Sequence, residues 1–250
     1  EEIKAFGVLD GDLILLTGGG TSYRRDSSGE WVVRSGAAML GVRAISNADS
    51  AMWLATSEGL RVLGATAPPP SREPRSNHFY DMRRLPGGEI WVASVPNDFI
   101  RSHGIYEFDP ADSSWTIHDN SNGLPTPTIV ALEVDANGSI WAGTWGRGLA
   151  IRADNGNWRW LDQNNSVLRG INGEGSFVVI ADILRDDENL LWMTNVLSGL
   201  AVIDGDDPSN GTLYSQGELG VARDIGKVAL GPDGLKWIAT PLDGFLLFDD

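Results

Sequence analysis

The sequence predicts an all-β protein, a β-propeller built from four-stranded antiparallel blades. A tryptophan, a short β-prone run, a small or hydroxyl residue and then glycine with an apolar residue recur along the chain. The repeated residues are Trp53, Trp91, Trp141, Trp192 and Trp237, with Ile14 in that place in a sixth copy. Neighbouring copies lie 38 to 51 residues apart, a period typical of propeller blades or of a solenoid. The 31 glycines and 12 prolines suit frequent turns, and no stretch has the apolar spacing of a long helix.

The fourth repeat shows the order of strands within one blade. The segments 128–135, 139–144, 148–154 and 157–163 are the inner, second, third and outer strands. The turns "DANG" and "DNGN" join the first pair and the last pair. Asn and Gly tolerate the left-handed conformation of tight hairpins, so four antiparallel strands with short connections are expected.

The other repeats follow the same plan and place the blade boundaries. We expect one 250-residue propeller domain with blades near residues 1–36, 37–75, 76–124, 125–170, 171–219 and 220–250. The second repeat has a proline-rich stretch at 65–76 in place of an outer strand, and proline withholds a ladder donor. The sixth repeat has three strands, and the first residues already form a strand without the features of a secretion signal. These ends indicate a piece of a longer protein whose ring has six or seven blades.

Two tryptophans stand four residues apart in "SIWAGTWGRGLAIRAD", residues 139–154. Trp141 is the repeated residue, and we expect its ring to fill the wedge between neighbouring blades, a burial that stabilises by roughly 1.5–3 kcal/mol. Trp145 is not repeated, and we place it in the loop between the second and third strands. It is either a packing residue or an exposed recognition residue.

Charge and composition limit the partners. The chain has 34 acidic and 19 basic residues, a net charge of −15, which does not suit the phosphates of nucleic acid. It has no cysteine, so disulfides, zinc–thiolate sites and a cysteine nucleophile are excluded. No apolar run is long enough to be a transmembrane segment.

A search for catalytic, cofactor and metal motifs finds none. The three histidines, His78, His103 and His118, fall on an inner strand, a loop and an outer strand of the third repeat, so we expect no metal site. The sequence has no phosphate-binding glycine loop, nucleophile elbow or zinc-binding helix motif. Acidic turns such as "DGDD" at 204–207 fit hairpins better than a calcium loop. We therefore expect no cofactor and no enzymatic activity.

The repeats resemble the regulator-propeller repeat, of the type D-x-x-G-x-x-W-x-x-T-x-x-G-L. The segments "SNHFYDMRRLPGGEIWVA" (76–93), "GTWGRGLAIR" (143–152), "NNSVL" (164–168), "LLWMTN" (190–195) and "KWIATPLDGFLLFDD" (236–250) are together similar to PorZ-like proteins of the type IX secretion system. The resemblance covers about residues 60 to 250.

This resemblance implies a non-enzymatic scaffold or adaptor in the periplasm or at the cell surface, associated with the outer membrane. The implied partners are the sortase PorU, PorV- and PorQ-like proteins, and anionic lipopolysaccharide. An acidic chain does not obviously suit an anionic glycolipid. Two other functions stay open: a ligand-sensing ectodomain of a hybrid two-component regulator, and a glycan-active propeller enzyme such as a lyase or hydrolase.

Irregular insertions between second and third strands are the candidate binding sites. The first, "VPNDFIRSHG" (95–104), carries Phe99 and Arg101, and the second, "TWGRG", carries Trp145 and Arg147. Exposed loops of a propeller form broad faces on which aromatic and arginine side chains can act as anchors. We expect both insertions on one face, which binds a protein partner or a sugar.

Overall fold

A computed structural model describes most of the chain, in two compact units that comprise residues 1–118 and 119–250. The described residues are 3–9, 12–17, 21–34, 42, 44–48, 51–56, 59–64, 79–94, 104–153, 155–171, 175–222, 224–231, 234–241 and 243–248.

The first unit contains three antiparallel sheets in which strands adjacent in sequence are also adjacent in space. The first sheet comprises β1 (Ile3–Leu9), β2 (Asp12–Thr17), β3 (Ser22–Arg25) and β4 (Trp31–Val33). The second comprises β5 (Ala44–Ala48), β6 (Ala51–Thr56) and β7 (Gly59–Gly64). The third comprises β8 (Phe79–Arg84), β9 (Ile90–Ser94), β10 (Gly104–Asp109) and β11 (Ser114–His118).

The second unit continues the same order of strands. It contains β12 (Ile129–Val134), β13 (Ile140–Gly146), β14 (Leu149–Arg152) and β15 (Trp158–Leu161). These are followed by β16 (Val178–Arg185), β17 (Leu190–Asn195), β18 (Gly199–Asp204) and β19 (Gly211–Ser215). The last sheet comprises β20 (Lys227–Leu230), β21 (Lys236–Thr240) and β22 (Gly244–Phe248). The helical elements of the described residues are a 3-10 turn, Asn120–Asn122, and one short α-helix, α1 (Gln216–Leu219).

The predicted fold class, an all-β propeller of antiparallel blades, is confirmed. In the fourth repeat the observed strands 129–134, 140–146, 149–152 and 158–161 lie on the predicted ones with shifts of one or two residues at each end. The proline-rich stretch 65–76 lies outside the described residues. A single domain, the ring size and the origin from a longer protein stay predictions.

The repeat tryptophans all lie on the second strand of their repeat, and three of them pack against the next repeat of their unit. Trp53 contacts Phe108 of the third sheet, with ring centroids 5.7 Å apart. Trp141 is fully buried in a cluster with residues of β16, β17 and β18. Trp192 packs with residues of β20, β21 and β22. The hydrophobic core of each unit is therefore a series of layers between neighbouring sheets.

The other two repeat tryptophans have different surroundings. Trp91 is buried, and the ring of His118 stacks on it at 4.6 Å between centroids. Trp237 is 41% exposed and meets the edge of Phe245. A shared position on the second strand therefore does not by itself ensure burial.

Candidate functional site

Trp145 lies at the end of a strand, which corrects the prediction that it occupies a loop. Strand β13 continues through Gly146, and its last two residues pair with Val179 and Val178 of β16. This junction joins two four-stranded groups into one eight-stranded sheet. The amide of Trp145 donates to the carbonyl of Thr128 at 3.1 Å. Main-chain bonds to two neighbouring strands thus hold the backbone of Trp145, a constraint that loop residues usually lack.

Thr144 fixes the connection that follows Trp145. Its hydroxyl donates to the carbonyl of Gly148 at 2.8 Å and accepts the amide of Arg147 at 3.0 Å. The same hydroxyl-to-carbonyl bond, four residues apart, forms at Thr17 and Thr240. The recurring W-x-x-T spacing therefore has a local cause, because the threonine closes the turn between second and third strands.

The ring of Phe177 packs against Gly146, the residue that follows Trp145. Phe177 directly precedes β16, and its carbonyl accepts the amide of Ile171 at 3.1 Å. A Cβ at Gly146 would lie 2.5 Å from Cε2 of Phe177, and the φ angle of Gly146 is +107°. Only glycine at this position lets the aromatic ring pack against the strand. Trp145 is 44% exposed and Phe177 48% exposed, so two large aromatic residues are partly exposed in this region.

These rings line an open groove of about 510 Å³ in the second unit. The lining residues are Thr126, Trp145, Gly146, Arg147, Asp162, Gln163, Asn164, Ser176 and Phe177. They come from the ends of second and outer strands and from the segments that lead into inner strands. In an antiparallel blade these points all fall at one end of the sheet, which is why segments up to 51 residues apart in sequence meet here.

The polar side of the groove is a rigid turn after β15. Oδ1 of Asp162 accepts the amide of Asn164 at 2.8 Å, and Oδ1 of Asn165 accepts the amide of Asp162 at 2.9 Å. The hydroxyl of Ser166 donates to the carbonyl of Asp162 at 2.6 Å. Asp162, Gln163 and Asn164 are therefore presented by a backbone that its own side chains hold in place. The groove combines two aromatic rings, one guanidinium, two amides and one carboxylate.

Two of the four predicted binding residues fall outside the part of the chain that the structure describes. Phe99 and Arg101 lie outside the described residues, as do His78 and His103. His118 is buried on β11, where its Nε2 lies 2.7 Å from Oε2 of Glu107. Within the described ranges, no group of three or more His, Cys, Asp and Glu side chains is arranged to hold a metal ion.

Sequence reasoning missed Phe177 and the turn 162–164 as parts of the site. Phe177 follows a glycine-rich stretch and directly precedes an apolar strand, so its sequence context resembles that of a core residue. The segment "NWRWLDQ" was predicted to be strand through residue 163, whereas β15 ends at Leu161. The observed strand ends two residues earlier than predicted, which moves Asp162 and Gln163 from the strand into the connection that follows it.

The fold is a β-propeller whose strand connections line this groove. Residues 123–146 match the sequence model of the family described as two component regulator propeller. The match includes β12, β13 and Trp145, so the resemblance to this repeat is confirmed on the segment that builds the groove. No curated protein matches the chain significantly in sequence.

Solved structures similar to the chain include two kinds of bacterial surface or extracellular protein. The extracellular domains of BT4673 and BT3049 of B. thetaiotaomicron, each described as part of a hybrid two component system, are 16% and 17% identical, with TM-scores of 0.76 and 0.72. The matches cover 100% and 99% of this chain but 32% and 33% of theirs. PorZ, a surface component of the type IX secretion system of Porphyromonas gingivalis, is 19% identical with a TM-score of 0.70, over 99% of this chain and 38% of PorZ.

These similarities establish the fold, and the chain spans about a third of the length of each of these three proteins. Among the described residues, no helix is long and apolar enough to cross a membrane.

Proposed function

We propose that the chain is a non-enzymatic scaffold or adaptor of a PorZ-like protein-secretion complex at the outer membrane or cell surface. The observation that carries the proposal is the groove at Trp145 and Phe177, where two half-exposed aromatic rings stand on a backbone fixed by neighbouring strands. Exposed aromatic anchors on rigid supports are typical of protein-binding surfaces. The structural similarity to PorZ supplies the biological setting.

The proposed partners follow from the resemblance. They are the sortase PorU and the outer-membrane proteins PorV and PorQ, or their equivalents in this organism. Anionic lipopolysaccharide is a further candidate ligand, but a net charge of −15 repels it from most of the surface. A protein partner is therefore the first choice for the groove.

The proposal is tested by recovery of partners on the full-length protein expressed in its own host. A variant with Trp145→Ala and Arg147→Ala should recover PorU-, PorV- or PorQ-like proteins several-fold less than the unaltered protein. Trp31→Ala is the matched control, because Trp31 is 39% exposed on β4, far from the groove in sequence. Unchanged recovery by the double variant, with unchanged binding of lipopolysaccharide, contradicts the assignment of the groove.

A second candidate function is the ligand-sensing ectodomain of a hybrid two-component regulator. It is favoured by the match of residues 123–146 to the two component regulator propeller family and by the similarity to BT4673. The full-length gene discriminates between the two functions. A membrane-spanning helix followed by a histidine kinase supports the sensor, whereas a C-terminal β-sandwich and neighbouring secretion genes support the adaptor.

The absence of enzymatic activity is also part of the proposal. Purified protein should show no turnover of glycan, peptide or ester substrates above a buffer control, measured by product release. Turnover that is lost on substitution of a residue in the groove overturns it and supports a glycan-active propeller enzyme.

A further inference from the structure

We propose that one face of the last sheet is an interface which a further repeat of the same kind covers in the natural full-length protein. This Trp237 face comprises Ala229 of β20, Trp237 of β21, and Phe245 and Leu247 of β22. The inference goes beyond the proposed function, because it concerns how the propeller continues and applies equally to an adaptor and to a sensor.

The Trp237 face carries large apolar side chains at the surface. Trp237 pairs with Ala229 on one side and with Leu247 on the other, so these three side chains form one row across the sheet. Phe245 lies on the same face two residues before Leu247, and its ring centroid is 6.3 Å from that of Trp237. Trp237 is 41% exposed, Leu247 56% and Phe245 72%. Apolar side chains that are exposed together in this way mark an interaction surface.

The same positions are buried in the other repeats. Phe245 follows the glycine that begins the third strand, and it pairs with the residue two places after Trp237. Its counterparts in the other four tryptophan repeats are at most 3% exposed, and they are Leu60, Ile105, Leu149 and Leu200. One propeller repeat cannot bury its apolar face alone. The sequence of the last sheet therefore provides a contact face like those of the other repeats.

The layers within the two units show what covers such a face. In each of them the covering sheet is the one that comes next in the sequence. Its third strand contributes a large apolar residue, one place after the residue that pairs with its own repeat tryptophan. In the four layers this residue is Leu63, Phe108, Ile203 and Phe248. We expect the covering repeat to place a residue of this kind against Trp237.

A second copy of this chain is a poorer occupant of the Trp237 face. Each copy has a net charge of −15, so two copies repel each other as they approach. A repeat that follows in the same polypeptide is held beside the face by the chain itself. The similar structures leave room for further repeats, since this chain spans about a third of the length of each.

The experiment measures how fast a single cysteine on the Trp237 face reacts with a maleimide dye. The chain has no cysteine, so Phe245→Cys and Leu247→Cys each introduce one reporter, and the unaltered protein gives the background. Each should react at least about tenfold more slowly in the natural full-length protein than in the 250-residue chain, because a covered thiol reacts only after local opening. Thr116→Cys, exposed on β11, is the control and should react equally in both. Urea unfolding curves show that each variant is folded.

A photocrosslinker then identifies what covers the face. In the full-length protein, p-benzoylphenylalanine at position 245 should link to a peptide of the repeat that follows residue 250. Equal rates for both reporters in the two proteins overturn the inference, as does a crosslink to any other segment or to a second chain. Slow reaction already in the 250-residue chain also overturns it, and light scattering then shows whether a second copy is the cause. Partner recovery is a separate result, so the proposed function can hold where this inference fails.

Discussion

The indole Nε1 of Trp192 donates a hydrogen bond of 2.7 Å to Oδ2 of Asp186. One repeat earlier, Trp141 and Asp135 make the same bond at 2.9 Å. In both turns the other carboxylate oxygen accepts two backbone amides, so a single buried aspartate connects the hairpin to the repeat tryptophan. The aspartate and the tryptophan of the repeat are thus one structural unit, because a buried indole N–H requires an acceptor.

Replacement of this aspartate by asparagine should lower the free energy of unfolding more at Asp186, in the fifth repeat, than at Asp135, in the fourth. Asparagine has one acceptor oxygen, so either the turn or the indole loses its partner, at a cost of about 1–3 kcal/mol for Asp135→Asn. Asp186 additionally lies 3.5 Å from Nζ of the buried Lys236, whose ammonium stands 4.6 Å above the ring of Trp192. Loss of one member of a buried ion pair costs about 3–5 kcal/mol. Urea unfolding of Asp135→Asn and Asp186→Asn gives the two free energies.

A double-mutant cycle tests the cause of that difference. Lys236→Met keeps the length of the side chain without its charge, so in the Asp186→Asn background it should recover part of the lost stability. Suppose that Asp186→Asn and Asp135→Asn lower the free energy of unfolding equally, and that Lys236→Met restores no stability in the Asp186→Asn background. The ion pair between Lys236 and Asp186 then does not stabilise the fold.

Truncation of the tryptophans should separate core residues from surface residues. Trp141→Ala should lower the free energy of unfolding by about 3–5 kcal/mol, because its ring is fully buried in the layer before β16. Trp145→Ala and Trp237→Ala should cost clearly less, since each ring is more than 40% exposed. Chemical unfolding followed by far-UV circular dichroism compares the three. Equal losses at positions 141 and 145 would make Trp145 a packing residue and remove it from the candidate site.

The carboxyl group of Glu218 should titrate below its ordinary range because of Ser215. The hydroxyl and the amide of Ser215 both donate to Oε2 of Glu218, at 2.6 and 2.7 Å, and these bonds lower the pKa of Glu218. Since the folded pKa is below the unfolded one, the stabilisation is present above the unfolded pKa and is lost as pH falls through the folded pKa. Ser215→Ala should raise the pKa of Glu218, measured by NMR titration of its carboxyl carbon.

Asp207 is the internal control for that titration. The hydroxyl of Ser209 lowers the pKa of Asp207 in the same way. Its titration should therefore be unchanged by Ser215→Ala. A common shift of both carboxyl groups would point to a global change in the protein rather than to the loss of one hydrogen bond.

Local periodicity predicted the sheets of this protein but not the contacts between them. The positions of Trp53, Trp91, Trp141, Trp192 and Trp237 on second strands follow from a pattern that each repeat carries within itself. The bond between Lys227 and Asp182, 2.7 Å long and 45 residues apart, depends on how two sheets face each other. No spacing within one repeat encodes such a pair.

The sequence predicted only part of the candidate site, because a pattern within one repeat does not encode which other segments lie beside it. Trp145 and Arg147 stand out because the other repeats lack them, so their departure from the pattern was visible in the sequence. Phe177 and Asp162 join them only through the β13–β16 junction and the early end of β15. Trp237 shares the strand position of the buried repeat tryptophans but is 41% exposed, because burial depends on the neighbouring sheet as well as on the strand that carries the residue.

Gly148 ends the connection between β13 and β14, where the neighbouring backbone leaves no room for a side chain. Gly148 has a φ of +79°, and a Cβ there would lie 2.2 Å from the carbonyl oxygen of Leu161. Gly175 has a similar φ of +75° with no heavy atom within 4 Å of such a Cβ. Alanine at either position should lower the free energy of unfolding by about 1–2 kcal/mol, because a residue with a Cβ disfavours the left-handed conformation. In Gly148→Ala the added methyl group also clashes with the backbone of Leu161, which cannot rotate away, and this clash should lower the free energy of unfolding by about a further 1–3 kcal/mol.

Thermal or urea unfolding of the two variants therefore gives a direct comparison. Gly148→Ala should be less stable than Gly175→Ala by the cost of the contact with Leu161. It should also lower the recovery of partner proteins through the groove, because a displaced β13–β14 connection moves Arg147 and the end of β13. Equal stability of the two variants would mean that β15 yields to the added methyl group, and the close approach of Gly148 to Leu161 would then not hold the groove in place.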